Sequence, residues 1–148
     1  MFIFLQLILG WVYSQIFEYI AHKHVLHNHK KFYHAFKNHF ATHHKIARKN
    51  EMYDEGYESI FSTGFETYSL IIIAIIHIPV AIVAPWFASA AYLNLIAYYF
   101  VHRKSHIDVE WGKKWLPWHY AHHMEKDQNK NWGVTTPIID KIVKTSDY

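Results

Sequence analysis

The sequence predicts an all-α integral membrane protein with about three transmembrane helices and a cytoplasmic, histidine-rich helical cap. Three observations carry that prediction. All fifteen Lys and Arg residues fall in two stretches, Lys23 to Lys49 and Arg103 to Lys144. A 34-residue run, 68–101, holds no Asp, Glu, Lys or Arg. Thirteen of the fourteen histidines lie in or directly beside the two basic stretches, and only His77 falls inside an apolar run.

The spans follow from bilayer dimensions. Residues 2–20 are apolar apart from Gln6, Ser14, Gln15 and Glu18, and about 20 residues suffice to cross. This segment has neither a basic n-region nor a small-residue cleavage site, so it is expected to stay as an anchor rather than leave as a signal peptide. As one helix, the run 68–101 would far exceed a hydrocarbon core of roughly 30 Å. Pro79 and Pro85 lie near its middle, so it is expected to fold back as two crossings, about 68–84 and 86–101. One crossing followed by a hairpin puts 22–66 and 102–148 on the same side. Those segments carry the basic residues, and the positive-inside rule places them in the cytoplasm with the amino terminus outside. A length of 148 residues fits one domain, 1–148.

Composition excludes several classes. A net charge of +3 could suit nucleic acid, but the basic residues flank apolar spans, where attraction to anionic headgroups explains them; no nucleic-acid partner is expected. With no cysteine, disulfides, thiolate ligands and iron–sulfur clusters are excluded. Any metal must be held by nitrogen and oxygen.

The histidines are grouped. His22 and His27 follow the first span; His39, His43 and His44 form a second group; His102 and His106 end the last span; His119, His122 and His123 form a fourth. Residues three or four apart share a helix face, so His39 with His43, His102 with His106, and His119 with His122 and His123 can each converge on a metal. His22 and His27, five apart, do not align on a regular helix. Ten imidazoles exceed what one ion accepts, so two ions are expected, and ligand type alone fits iron, zinc, copper or nickel. His24, His29 and His34 fit no pairing and read as surface side chains. His77, costly within a span, reads as an interhelical hydrogen-bonding residue, with a channel-lining role as the alternative.

In order, the boxes HKHVLH, HFATHH, HRKSH and HYAHH, with an apolar hairpin between the second and third, resemble the fatty acid hydroxylase superfamily of membrane di-iron proteins, which includes sterol desaturases, sterol methyl oxidases, lipid hydroxylases and carotenoid hydroxylases. The resemblance runs from Glu18 to about Thr145. It implies that His22, His27, His39, His43, His44, His102, His106, His119, His122 and His123 hold two iron ions, with zinc possible by ligand type. It also implies a membrane lipid substrate, dioxygen, and hydroxylation of an acyl chain, or else desaturation or sterol methyl oxidation. Electrons are expected from a separate ferredoxin or cytochrome-type donor, because no flavin or haem-binding segment is found. The tail Asn131 to Asp140 resembles the superfamily's closing segment, with Lys144 where a glycine is common.

Two features depart from the superfamily pattern. Members typically have four crossings, whereas one precedes the first histidine box here, a gap that a homo-oligomer would cover. Three residues separate His39 from His43 where two are commoner; His39 stays the expected ligand, with His34 as the alternative.

Around the boxes, Glu18, Asp108, Glu110, Glu125, Asp127 and Asp140 are candidate acceptors for the distal nitrogens of ligand histidines. Trp111, Trp115, Trp118 and Trp132 read as interfacial anchors. Pro137 is expected to open a short helix with an apolar stripe of Ile138, Ile139, Ile142 and Val143. The competing function is a non-catalytic membrane metal-binding protein. Transport would need polar groups in the spans, where only His77 and Asn94 offer much.

Overall fold

The computed structural model describes residues 2–60 and 64–148; residues 61–63 of the expected cap lie outside the described residues. Among the described residues all regular structure is helical. Helix α1, Phe2–Ala21, runs directly into a π-helical turn, His22–Leu26. The continuous Phe2–Leu26 segment is, among the described residues, the one helix long and apolar enough to cross a membrane. Its 25 residues reach about 37 Å at 1.5 Å per residue, against a core of roughly 30 Å.

The cap's first half is α2, Tyr33–Asn38, a second π-helical turn, His39–His44, and α3, Lys45–Lys49. The 68–84 segment forms two helices rather than one. Helix α4, Phe65–Ile76, stops at His77, and α5, Ile78–Val83, begins with Pro79 in its first turn, where a missing N–H costs nothing. Pro85 opens α6, Pro85–Ile107, so the expected reversal between the two apolar segments falls at Ala84. Helix α6 extends past the expected limit of 101 and carries His102 and His106 on its last turns. The second half of the cap is α7, Val109–Trp115, capped by Asp108, whose carboxylate accepts from Trp111 N at 3.2 Å; α8, Pro117–Met124; and α9, Ile138–Ile142, which follows Pro137 as expected.

Helices α1 and α6 pack backbone to backbone at one point. A Cβ on Gly10 would stand 2.2 Å from the Phe87 carbonyl oxygen, so glycine alone permits this approach. The outward faces are apolar and bare: Phe2, Phe4, Ile76, Ile82 and Val83 are all more than half exposed, and α4 and α5 bury no residue. The interior is polar instead. His102, His106, His119, His122 and His123 are fully buried, together with Asp140, and Met52, Trp132 and Val134 seal around them.

Candidate metal centre

The π-helical turns explain spacings that a regular helix cannot use. In a π-helix the backbone bond runs from residue i+5 to i, and His27 N donates to His22 O at 3.2 Å. This wider turn stacks positions five apart, His22 over His27 in one turn and His39 over His44 in the other. All four then meet His122 from α8, and their ligating nitrogens lie within 4.8 Å of one another. His43, His102, His106 and His123 form a second buried group by the same measure. His119 adjoins that second group, its Nε2 3.3 Å from His106 Nε2.

All ten expected histidines therefore meet; His102 and His106 share a group as expected, and His119 lies with His123, but two expected partnerships are broken. His39 and His43 fall in different groups, because the second turn is π-helical and pairs His39 with His44. His119 and His122 also part, their ring centroids 6.5 Å apart. Each His-His dipeptide, His43–His44 and His122–His123, sends one ring to each group, and the rings of His44 and His123 stack at 4.0 Å between them. His34 is exposed while His39 is buried, so the structure puts His39, not His34, in the cluster. His24 and His29 are exposed, as expected.

The outer ring nitrogens are held by acceptors. His22 Nδ1 donates to Trp132 O at 2.5 Å, His106 Nδ1 to Met52 O at 2.8 Å and His122 Nδ1 to Lys130 O at 2.7 Å. His43 Nδ1 faces Asp54 Oδ2 at 2.9 Å, and His102 Nδ1 faces Glu66 Oε1 at 2.8 Å. A carbonyl or carboxylate is satisfied only by a ring N–H, so Nδ1 carries the proton and Nε2 keeps its lone pair for the interior.

The inward nitrogens fit metal ions. Among the described residues, His27 Nε2, His43 Nε2, His102 Nε2, His119 Nδ1, His122 Nε2 and both nitrogens of His123 are buried without a hydrogen-bond partner. One such group costs about 1–3 kcal/mol, so this concentration is untenable unless something binds there. The close approaches have the right size. His22 Nε2 and His39 Nε2 are 2.9 Å apart, and His39 Nε2 and His44 Nε2 3.2 Å. Nitrogens bound at about 2.0–2.1 Å to one ion stand about 2.9–3.4 Å apart. Burial pushes His39, His44, His119, His122 and His123 well below the ordinary imidazole range, and His43 below it against the opposing pull of Asp54. They stay neutral, as ligands must.

A family model described as fatty acid hydroxylase matches residues 7–145. The chain belongs to the fatty acid hydroxylase family. No curated protein and no solved structure matches it. Membership suggests an oxidoreductase of lipid hydroxylation or desaturation; the family is membrane-associated and typically iron-dependent, and it implies a lipid substrate and oxygen. Its two histidine clusters could hold metal ions.

A largely apolar cavity of about 520 Å³ leads to the centre. His22, His39 and His43 form part of its wall, and from there it runs between α1, α4 and α6 toward Tyr13 and His77. His77 makes the expected interhelical bond, its Nε2 2.7 Å from Tyr13 Oη, and it also lines the cavity.

The acidic partners of the cluster are not those expected. None of the six carboxylates nominated from sequence is bonded to a cluster histidine among the described residues. Asp54 and Glu66 take that role, and both were missed because neither stands beside a histidine box. The available signal was position: Glu66 is the acid that ends the charged segment before the long apolar run. Glu18 accepts instead from Val134 N, from Thr135 N at 2.9 Å and from Thr135 Oγ1 at 2.7 Å. Asp140 accepts from Trp132 N at 2.9 Å, Gly133 N at 2.7 Å and Thr145 Oγ1 at 2.7 Å. Both carboxylates clamp the 132–135 strand of chain, which supplies the carbonyl for His22.

Trp132 is likewise no interfacial anchor. It is buried, with its ring edge-on to His22 and His27 at centroid distances of 5.7 and 4.8 Å. Trp118 donates from Nε1 to Val134 O at 3.0 Å, which ties α8 to the same stretch.

Proposed function

We propose that this family member is a multi-pass membrane lipid hydroxylase in which ten histidines hold two iron ions. His22, His27, His39, His44 and His122 would hold one, and His43, His102, His106, His119 and His123 the other. The observation that carries this reading is the pair of adjoining, buried histidine clusters with unpartnered inward nitrogens, at the end of an apolar cavity. Zinc has no redox chemistry, and among the redox metals that imidazole suits, iron is the one this family typically uses. Two iron ions bound there would supply the activation of dioxygen that amino-acid side chains lack.

The chain's own residues bind, orient and shield. Asp54, Glu66 and the carbonyls of Met52, Lys130 and Trp132 orient the imidazoles. Met52, Trp132 and Val134, each at most 2% exposed, exclude water. The cavity's volume lies within the roughly 300–1,000 Å³ common for ligand sites, and its apolar wall suits an acyl chain delivered from the bilayer. Overall, dioxygen, two electrons from a separate ferredoxin or cytochrome-type donor and two protons from solvent would place one oxygen atom on the lipid C–H and release the other as water.

The membrane reading rests on the bare apolar faces of α1, α4, α5 and α6, which form a larger apolar surface than a water-soluble monomer carries. In this reading the whole chain is one domain and α4–α5 and α6 form the second and third crossings. The cap with its Lys and Arg residues lies in the cytoplasm, the amino terminus lies outside, and the protein forms a homo-oligomer.

The test combines metal content with product. Detergent-purified protein from iron-supplemented cells should carry about two iron ions per chain, and a His122→Ala, His123→Ala double variant should lose them. Lipid extracts of the expressing host should gain a species heavier by one oxygen, absent with the variant. A species lacking two hydrogens would make the protein a desaturase. Stoichiometric metal with no lipid product in the presence of a donor would leave a metal-binding membrane protein only.

A further inference from the structure

The far end of the cavity holds a polar pair where an apolar wall would suffice. Tyr13 on α1 and His77 at the break between α4 and α5 both line it, 2.7 Å apart. Polar side chains within a span are costly and are placed there for protein or cavity contacts. An interhelical bond of this kind adds little stability on its own, because the separated helices also find partners.

The proton order in the pair is fixed from one side. His77 Nδ1 is 2.7 Å from Ile73 O, and a carbonyl accepts only, so Nδ1 carries the proton and Nε2 is an acceptor. Tyr13 Oη must then donate to Nε2. Its oxygen is left with acceptor capacity alone, at the open end of a chain of hydrogen bonds that runs Tyr13 to His77 to Ile73. Such chains polarise their members, which makes the terminal oxygen a better acceptor. Phe17, edge-on to His77 at 5.9 Å, and Phe87, 5.3 Å from the Tyr13 ring, wall the pair with hydrocarbon.

We propose that Tyr13, held by His77, is a second recognition point for the substrate, accepting a hydrogen bond from a hydroxyl group carried on the lipid far from the reacting carbon. This rests on the lipid-oxidising reading above and adds a substrate class to it. An ester, a ketone or a plain methyl end offers no proton to this oxygen. Tyr13 precedes His22 by nine positions on one helix, so the hydroxyl sits about 14 Å from the level of the first histidine cluster. The pair therefore selects chain length as well as polarity.

The test is equilibrium binding to the purified, iron-loaded full chain, read as displacement of a fluorescent fatty acid. The competitors are a chain-length series of ω-hydroxy fatty acid methyl esters and the same esters without the hydroxyl. One chain length should bind about tenfold tighter with the hydroxyl than without it. Tyr13→Phe should keep its iron and abolish that preference, so that each hydroxylated ester binds no tighter than its plain counterpart to the same variant. No preference at any length in the natural chain overturns the proposal without need of a variant, as does a preference that survives Tyr13→Phe. If plain esters bind and are oxidised but no hydroxyl preference exists, the second recognition point alone fails. If no ester of either kind binds the iron-loaded chain, the lipid reading falls with it.

Discussion

Asp54 Oδ2 stands 2.9 Å from His43 Nδ1, both side chains buried, and the same carboxylate accepts from Gly56 N at 2.9 Å through its other oxygen. The carboxylate thus sets the His43 ring by a charge-assisted bond and is itself fixed by a turn. Asp54→Asn keeps the size and removes the charge. Removing such an outer partner typically weakens metal affinity by about 10–100-fold. Chelator competition on the purified protein should show loss of that order, confined to about half of the bound iron, because the five-histidine group containing His22 does not use Asp54. Unchanged retention would mean that Asp54 serves the turn alone.

Gly10 sets the distance between the two longest helices. A Cβ there would lie 2.2 Å from Phe87 O and 2.9 Å from Phe87 C, and neither atom belongs to a side chain that could rotate away. Gly10→Ala should therefore spread α1 from α6 and cost roughly 1–3 kcal/mol, as overpacking does. His22 follows α1, and His102 and His106 lie on the last turns of α6, so iron content should fall with the melting temperature in detergent. A variant that melts and loads like the natural chain would show that the close contact does not exist in the membrane.

The apolar segments and all ten cluster histidines were legible in the sequence, because charge segregation and residue type survive without coordinates. The division of the ten was not. Periodicity assumes 3.6 residues per turn, and the two π-helical turns break that assumption where His22, His27, His39 and His44 sit. The break of α4 at His77 was hidden because Pro79 and Pro85 each suit either a loop or a helix start. Asp54 and Glu66 escaped for a different reason. Glu66 lies 36 positions from His102, and only the packing of α4 beside α6 brings them together.

Lys144 occupies φ +60°, the left-handed region that favours glycine. The turn it forms returns Thr145 N to Asp140 O at 2.8 Å and Thr145 Oγ1 to Asp140 Oδ1 at 2.7 Å, so it braces the carboxylate that clamps the chain at Trp132. The lysine side chain is exposed and its removal costs little. Lys144→Gly relieves about 1–2 kcal/mol of left-handed strain and gives back part of it as unfolded-chain entropy. A net gain of roughly 0.5–1 kcal/mol should appear as a small rise in melting temperature. Asn131, at φ +57°, is a residue type that tolerates this region, and its buried side chain accepts from Asp147 N at 3.1 Å, so Asn131→Gly should lose stability rather than gain it. A loss at 144 as well would show that side-chain contacts rather than backbone strain govern both turns.

The buried histidines also set how the metal-free protein responds to acid. Burial holds His39, His44, His119, His122 and His123 well below the ordinary imidazole range, and His43 below it. In the unfolded chain the same groups titrate near about pH 6.5. As pH falls below that value, the unfolded chain takes up protons that the folded core refuses. Their contribution to stability is therefore fully present above about pH 6.5 and is lost progressively on acidification. The slope is roughly 1.4 kcal/mol per pH unit for each histidine that stays neutral. Chelator-stripped protein should hold a level melting temperature from about pH 8 to pH 7 and drop steeply below about pH 6.5. Bound iron should delay the drop, because ligation holds the imidazoles deprotonated. A melting temperature that stays level to about pH 5 without metal would mean that protons reach the clusters in the folded protein. The sealing by Met52, Trp132 and Val134 would then not exclude solvent from the centre.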